Sequence, residues 1–460
     1  MSGPGGRQPG PLRASGPADS GPRDRVLDLV KGYALLVVVV AHALAWDVST
    51  GEPANVLDLR PNLRWVTWLM QVLPLFFAAG AVSNRASWQR SEDAGAFVRR
   101  RISRLAAPAV VYASAWTALM LPLALMFTPV EVVGRYLAQL LWFLGVYGII
   151  VIAVPVTARW ASRPLMTLGL GLVVILAVDA VRWQVEPLVG WLNWLLVWGW
   201  IHQLGYCLPS LRRQPTARLL LSAASALAVA FGLAVLGPYS SSMVSMANDE
   251  GLSNLSPPTL VLACFGLAQV LLLAALWPLL ARLLTSQKAW LVVAAWGSRA
   301  VEVYLWHIPL VAAVIGLAWV FSIGPAPLAP SWWLLHVTVA LLVLTTAWLL
   351  AGPMGRASRW LRARTGQLRP SVVPPVVAGV VTSMAIVALS QTGFATWLGD
   401  GLLGLPSSSL VLLLLLLGGW RATAGAAHTD GSARGVGSDQ AGGALAVGHD
   451  AAQAPGRHLP

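Results

Sequence analysis

Apolar stretches of about 18 residues or more, each long enough to cross a bilayer, recur from one end of this chain to the other. Hydrocarbon offers a backbone no hydrogen bonds, so a run that crosses it must satisfy its own N–H and C=O groups, and such runs become helices. Composition agrees. The chain has 460 residues, of which 57% are hydrophobic and 11% charged, where a soluble domain carries about 25% charged residues. The expected fold is all-α, a polytopic transmembrane helical bundle. Ten core spans are predicted at 29–46, 65–83, 105–127, 136–156, 164–181, 190–208, 217–236, 258–281, 290–321 and 331–351, with one or two more near 372–394 and 406–420. The ninth run is long for a single crossing, and a bend near Pro309 is expected.

The net charge of +13 resides mostly in short loops between apolar runs, as the positive-inside rule predicts. Loops after even-numbered spans hold Arg85, Arg90, Arg99, Arg100, Arg101 and Arg104, then Arg159 and Arg163, then Arg212 and Arg213, then Arg282 and Lys288, then Arg356, Arg359, Arg362, Arg364 and Arg369. The alternate loops hold Arg60, Arg64, Arg135 and Arg182. This asymmetry predicts a multi-pass protein of the plasma membrane with a cytoplasmic N-terminus. No basic, aromatic-studded soluble domain is present to bind nucleic acid. Cys207 and Cys264, the two cysteines, lie in apolar runs, so neither a disulfide framework nor a metal centre is expected. Residues 1–22 read as a flexible cytoplasmic tail without the apolar core of a signal peptide. Residues 23–351 read as the transmembrane core, 352–420 as a basic inner loop with additional spans, and 421–460 as a disordered Gly- and Ala-rich tail. A polar outer loop, 237–258, contains Asp249 and Glu250 but no Lys or Arg. It is either a surface that meets an extracytoplasmic acceptor or a solvated connector.

Ionisable groups at bilayer depth are costly and mark function by default. The first span, RVLDLVKGYALLVVVVAHALAW, places Lys31 and His42 eleven positions apart. At about 100° per residue both project from nearly one face, with His42 roughly 16 Å deeper. Asp28 is one turn before Lys31 and is spaced to pair with it. An imidazole such as His42, with an unperturbed pKa of about 6.5, can serve as a general base toward a hydroxyl; a hydrogen bond between helices is the alternative use. Arg101 and Arg104 are one turn apart, and two adjacent guanidiniums suit phosphate groups, although retention of positive charge at the inner face also accounts for them. In WGSRAVEVYLWHIPL, Arg299 and Glu302 are spaced to pair, as are Tyr304 and His307. Glu302 is either structural or a carboxylate that orients a histidine on a facing helix. Asn193, His202, Gln203 and His336 read as helix–helix hydrogen-bonding groups. Many of the 23 Trp residues fall near span ends, as interfacial belts do, and Trp142 is a candidate pocket residue.

These separated pieces together resemble the membrane-bound acyltransferase 3 family. That family's first span carries an Arg, ten residues and a His after an LDxLRG-like start; LDLVKGYALLVVVVAHA supplies His42, with Lys31 in the Arg position. LPLFFAAGAV resembles its FFFxSG-like segment, with Ala79 in place of the small hydroxyl residue before Gly80. Arg101, Arg104 and Pro108 match an R-x-x-R motif followed by Pro; Leu141–Leu144 match LWFL; Tyr304, Leu305 and His307 match YLxH. The resemblance covers about residues 23–351, and HQLGYCL and SNLSPPT are similar to an actinobacterial-type branch. It implies an O-acyltransferase that moves an acyl group, acetyl in the simplest case, from a cytoplasmic acyl-CoA to a hydroxyl of a carbohydrate or secondary metabolite. The acyl-CoA is a cosubstrate, and no permanently bound cofactor is implied. Taken with the reading of the buried charges, the candidate catalytic residues are His42 and Glu302, and the candidate substrate-binding residues are Lys31, Asp28, Arg101, Arg104, Trp142, Tyr304 and His307. A transporter or flippase for a glycan or lipid intermediate explains the spans and buried charges equally well. It predicts broken helices and repeated halves, and it leaves the ordered motifs unexplained.

Overall fold

The computed structural model describes residues 24–127, 129–246, 251–365 and 371–425. The N-terminal tail expected at 1–22, the C-terminal tail beyond residue 425, and Asp249, Glu250 and Arg369 lie outside the described residues. Residues 421–425, assigned above to that tail, finish a helix instead.

Helix α1, Arg25–Leu44, starts where the Asp24 carboxylate accepts from the N–H groups of Val26 and Leu27, satisfying two of its orphan donors. A hairpin of β1 (Trp46–Asp47) and β2 (Ala54–Asn55) follows. Next come α2 (Leu73–Gln89), α3 (Ala94–Leu123, capped by Asp93), α4 (Val130–Ala138) and α5 (Leu141–Trp160). The chain continues through α6 (Pro164–Gln184), α7 (Asn193–Gly205), α8 (Thr216–Leu236) and α9 (Leu260–Leu283). It then forms α10 (Gln287–Gly297), α11 (Ala300–Val320), α12 (Pro330–Thr365) and α13 (Pro375–Thr392). A second hairpin, β3 (Gly399–Asp400) with β4 (Pro406–Ser407), leads into α14 (Ser409–Gly425).

The molecule is an all-α polytopic bundle. Among the described residues, ten helical segments are long and apolar enough to cross a membrane, with Ser409–Gly425 as a shorter apolar helix. Four predicted runs differ in form: the second is interrupted at Gln71, whose backbone is extended, and the fourth at 139–140, between α4 and α5. The sixth is not one long helix: a 3-10 turn, Pro187–Leu192, feeds α7, and a separate turn, Leu208–Leu211, follows it. Prolines at 187 and 209 and glycines at 190 and 205 punctuate that stretch. The ninth breaks at Ser298–Arg299, where Arg299 leaves helical geometry (φ −119°, ψ 12°), whereas Pro309 stays inside α11. Gly297 and Ser298 are poor helix formers, and they end the helix where a continuous apolar pattern gave no sign of it.

Burial separates centre from periphery. The α4–α5 segment buries 67% of its apolar window, against 17% for α6 and for α8. Helix α1 packs on α2, α11 and α12, while α3 packs on α5 and α12. Helices α13 and α14 brace α3 and α5 from behind. The loop at 237–258 is no loose connector. Trp68 Nε1 donates to the Ser241 carbonyl, Gln71 Nε2 to the Met243 carbonyl, and the Met243 N–H to Thr67 Oγ1, so the loop is pinned over the start of α2.

Close packing of α7 on α2 depends on Gly205. A Cβ there would collide with the Ala78 carbonyl oxygen and the Ala81 methyl, whereas one at Gly199 would meet nothing within 4 Å. Gly205→Ala is expected to destabilise the bundle by about 1–3 kcal/mol, read as a lower melting temperature in detergent. Gly199→Ala on the same helix is expected to leave that temperature unchanged.

Candidate active site

Two polar centres occupy the interior around α1. The first lies toward the basic end. Lys31 Nζ reaches from α1 to α2 and donates to Ser83 Oγ at 2.8 Å. The next residue, Asn84, is fully buried and satisfies three partners. Its Nδ2 donates to Tyr147 OH at 3.1 Å on α5 and lies 3.2 Å from His202 Nε2 on α7. Its Oδ1 accepts from Arg101 Nη2 on α3. An amide oxygen only accepts and an amide nitrogen only donates, so this arrangement makes His202 Nε2 the acceptor. Gly80 is what lets Tyr147 in, because a Cβ at that position would sit 2.6 Å from the tyrosine hydroxyl. The glycine of the LPLFFAAGAV segment thus has a steric role.

The second centre is a pair of histidines. His42 on α1 and His307 on α11 meet edge to face, with ring centroids 5.2 Å apart. His42 Nδ1 donates to the Val38 carbonyl at 2.7 Å, and His307 Nδ1 donates to the Tyr304 carbonyl at 2.7 Å. A carbonyl oxygen can only accept, so each bond requires the proton on Nδ1, and each neutral ring keeps its Nε2 lone pair. His307 is fully buried, and among the described residues its Nε2 has no hydrogen-bond partner. His42 is only partly buried. Such a lone pair is what a general base needs.

A wall of aromatic rings joins the two centres. Tyr147 stacks on Phe143 (6.1 Å, 15°), Phe143 touches Tyr304 (5.3 Å), and Tyr304 touches His307 (6.0 Å). Tyr304 OH donates at 2.8 Å to the Leu140 carbonyl, which also accepts from the Phe143 N–H where α4 gives way to α5. Past the histidines, a pocket begins at Ala43 and is lined by Asp47, Val314, Trp332, His336 and Val339 among others.

The residues singled out from sequence distribute unevenly. Lys31 and Arg101 meet around α2, and His42, His307 and Tyr304 form the second centre. Asp28 does not pair with Lys31. Among the described residues no ion pair joins them, because the lysine reaches across to Ser83 rather than back along its own helix. Arg299 does not pair with Glu302 either: it donates to the Trp348 carbonyl at 3.0 Å and lies 3.8 Å over the Trp348 ring. It sits in the break before α11, so helical i, i+3 spacing no longer applies to it. Glu302 faces the basic end of α12, beside Gly355 and Arg359, rather than His42. Trp142 packs against Trp194 and Trp198 on α7 and meets Phe143 of the wall edge to face. Arg101 reaches α2, where it donates to Asn84, and Arg104 lies within electrostatic reach of Arg362 on α12. The same loop spends Arg100 on latching α2 to α3 through Ser87 and Ser91. Ser83, Asn84 and Tyr147 were not anticipated. Asn84 stands between Ser83 and Arg85, so its own neighbours in the chain gave no sign of a buried amide. His202 does make the helix–helix bond expected of it.

A family model described as an acyltransferase domain matches residues 24–352. No curated protein and no solved structure matches the chain.

Replacing Asn84 by Ala would take away the hydrogen-bond partner of both Tyr147 OH and His202 Nε2 at once. Each buried polar group left unpaired costs about 1–3 kcal/mol, so Asn84→Ala is expected to cause a larger loss of thermal stability than Ser83→Ala. The comparison is a melt of both purified variants; equal melting temperatures would show that the bonds around Asn84 hold nothing together.

Proposed function

This chain belongs to the acyltransferase 3 family, and from that premise we propose that it carries an acyl group from a cytoplasmic acyl-CoA through the bundle to a hydroxyl of a carbohydrate or secondary metabolite. It is a membrane acyltransferase. On this reading it resides in the plasma membrane with its basic end in the cytoplasm, following the arginine asymmetry.

One observation carries the proposal. The bond from His42 Nδ1 to the Val38 carbonyl fixes the tautomer and leaves Nε2 as a proton acceptor inside the bundle. The donor's phosphates would lie at the basic end, against Lys31, Arg101 and Arg104. Ser83 and Asn84 hold the first two of these cations in place. The pantetheine arm would follow the aromatic wall toward His42. The acceptor hydroxyl would come from the opposite side, through the pocket that begins at Ala43.

The step balances simply. His42 Nε2 takes the hydroxyl proton as the oxygen bonds to the thioester carbonyl carbon. The carbon–sulfur bond breaks, the sulfur leaves as a thiolate, and the proton on His42 returns to it as the free thiol. Hydrocarbon and packed rings around the site keep the local dielectric low, which strengthens each charge interaction there. His307 flanks this base edge-on and Tyr304 anchors the wall, which supports a positioning role for both. Glu302 faces away from His42, which weighs against it as a base.

Membranes containing the full chain and its native acceptors, given radiolabelled acetyl-CoA, are expected to place label on a glycan or small molecule. A folded His42→Ala variant is expected to lose about 10²–10⁴-fold in rate, the usual contribution of a general base. Undiminished transfer by that variant removes His42 from the chemistry. Lys31→Ala is expected to raise KM for the acyl-CoA more than it lowers kcat, and Lys31→Arg to restore it.

A further inference from the structure

The pocket past the histidines lies at the end of the bundle away from the arginines of α12. Ala43 of α1, Ile315 and Ala318 of α11, and Leu335 and Val339 of α12 line it. Its volume is about 40 Å³, room for about three water-sized groups. Val314, also in the lining, comes seven residues after His307 on α11. At ~1.5 Å per residue the pocket therefore lies about 10 Å beyond the imidazole pair along that helix.

Two ionisable side chains border this space, Asp47 and His336, and neither has an uncommitted atom. Asp47 Oδ1 accepts from the N–H and the hydroxyl of Ser49, and Oδ2 accepts from Trp332 Nε1 at 2.9 Å. His336 Nδ1 lies 2.9 Å from the Trp332 carbonyl, and Nε2 lies 2.7 Å from the Trp46 carbonyl. The same ring stacks on Trp332 with centroids 3.8 Å apart. These bonds tie β1 to α12. What they leave for a guest is an apolar surface. Leu317 and Leu334, the chain neighbours of Ala318 and Leu335, are exposed, so apolar surface continues from the lining to the outside of the bundle.

On the acyl-transfer reading above, on which this inference rests, we propose that the acceptor is a lipid-soluble alcohol rather than a carbohydrate. Its hydrocarbon body fills this pocket, and its hydroxyl reaches His42 Nε2. A sugar would carry several hydroxyls into the site, of which one meets the base. The others would lose their water against Ile, Leu and Val side chains and gain no partner. A hydrocarbon body carries no such cost and gains from burial. The step is the one already described: the alcohol oxygen bonds to the acyl carbon, and its proton passes through His42 to the departing thiolate. The products are an ester of the alcohol and the free thiol.

In the test, membranes containing the full chain receive radiolabelled acetyl-CoA, and the labelled product is partitioned between organic solvent and water. Mild base then releases the alcohol for mass spectrometry. Label is expected as an ester of a lipid-soluble alcohol. In a second arm the purified chain in nanodiscs acetylates primary alkanols from butanol to decanol. The wild-type rate divided by that of Ala318→Trp, which fills the pocket, is expected to climb about fourfold per methylene, equivalent to ~0.8 kcal/mol. The climb is expected to level off after about three methylenes. Uptake of alkanol by the bilayer is common to both proteins and cancels in the ratio. Val339→Phe fills the pocket from the other wall and is expected to act alike, whereas Leu341→Trp, on the exposed face of α12, is expected to give a flat ratio. Ester on a sugar hydroxyl, polymeric or lipid-linked, overturns the inference and leaves acyl transfer intact. So does a flat ratio for both filling variants. A ratio that climbs instead with the donor's acyl chain, from acetyl-CoA to butyryl-CoA at a fixed alkanol, assigns the pocket to the donor and likewise overturns it. Transfer to no acceptor of any kind removes the acyltransferase reading and this inference with it.

Discussion

Inside hydrocarbon a polar group must find its partner within the protein, and around this site one side chain serves four helices. Asn84 on α2 offers one acceptor and two donors, and α3, α5 and α7 each supply a group to meet them. Water could satisfy Arg101, Tyr147 and His202 separately at a surface. In the bundle they converge, so the geometry of the basic mouth follows from one amide. The close approach of α7 and α5 to α2 is the steric counterpart of that convergence. Gly205 and Gly80 remove the side chains that would hold the helices apart.

The same rule explains the histidines. A helix turns its carbonyls along its own axis, and a histidine four residues on can donate back to one of them. Val38 does this for His42, and Tyr304 with Val303 does it for His307. The backbone consequently sets the tautomer without a carboxylate. An acid beside either ring would raise its basicity but would also bury a charge. Glu302 stays away, at the end of α11 where arginines surround it. The Glu302 carboxylate thus stays beside Arg359, and the backbone alone orients both imidazoles.

Sequence carried the helical class, the placement of nearly all crossings and the alignment of Lys31 with His42, because these depend on hydropathy and on the 3.6-residue repeat alone. It failed where neighbours in space decided the outcome. Local spacing paired Asp28 with Lys31 and Arg299 with Glu302, but Ser83 and the Trp348 carbonyl took the cations instead. An ion pair along one helix is worth only about 0.2–0.5 kcal/mol, and a bond that ties two helices together can outweigh it. The 3-10 turn that runs into α7 and the break at Ser298–Arg299 lie within continuous apolar stretches, so hydropathy could not reveal them. Tyr147 read as one more apolar aromatic of α5, since only the facing Gly80 shows that its hydroxyl has somewhere to go.

Lysine at position 31 makes physical sense in this setting. An arginine fork is pre-organised for a flat, bidentate partner, but the partner that α2 presents is a single hydroxyl, Ser83 Oγ. An ammonium has three donors. Spending one on Ser83 leaves two for an anion while its position stays fixed by α2. Arg101 is fixed in the same way by Asn84, the adjacent residue. Two consecutive residues of α2 therefore steer the cations from α1 and α3, and a shift of α2 along its axis would move both together. Positive charge is what arginine and lysine share at this position, so either can fill the role there.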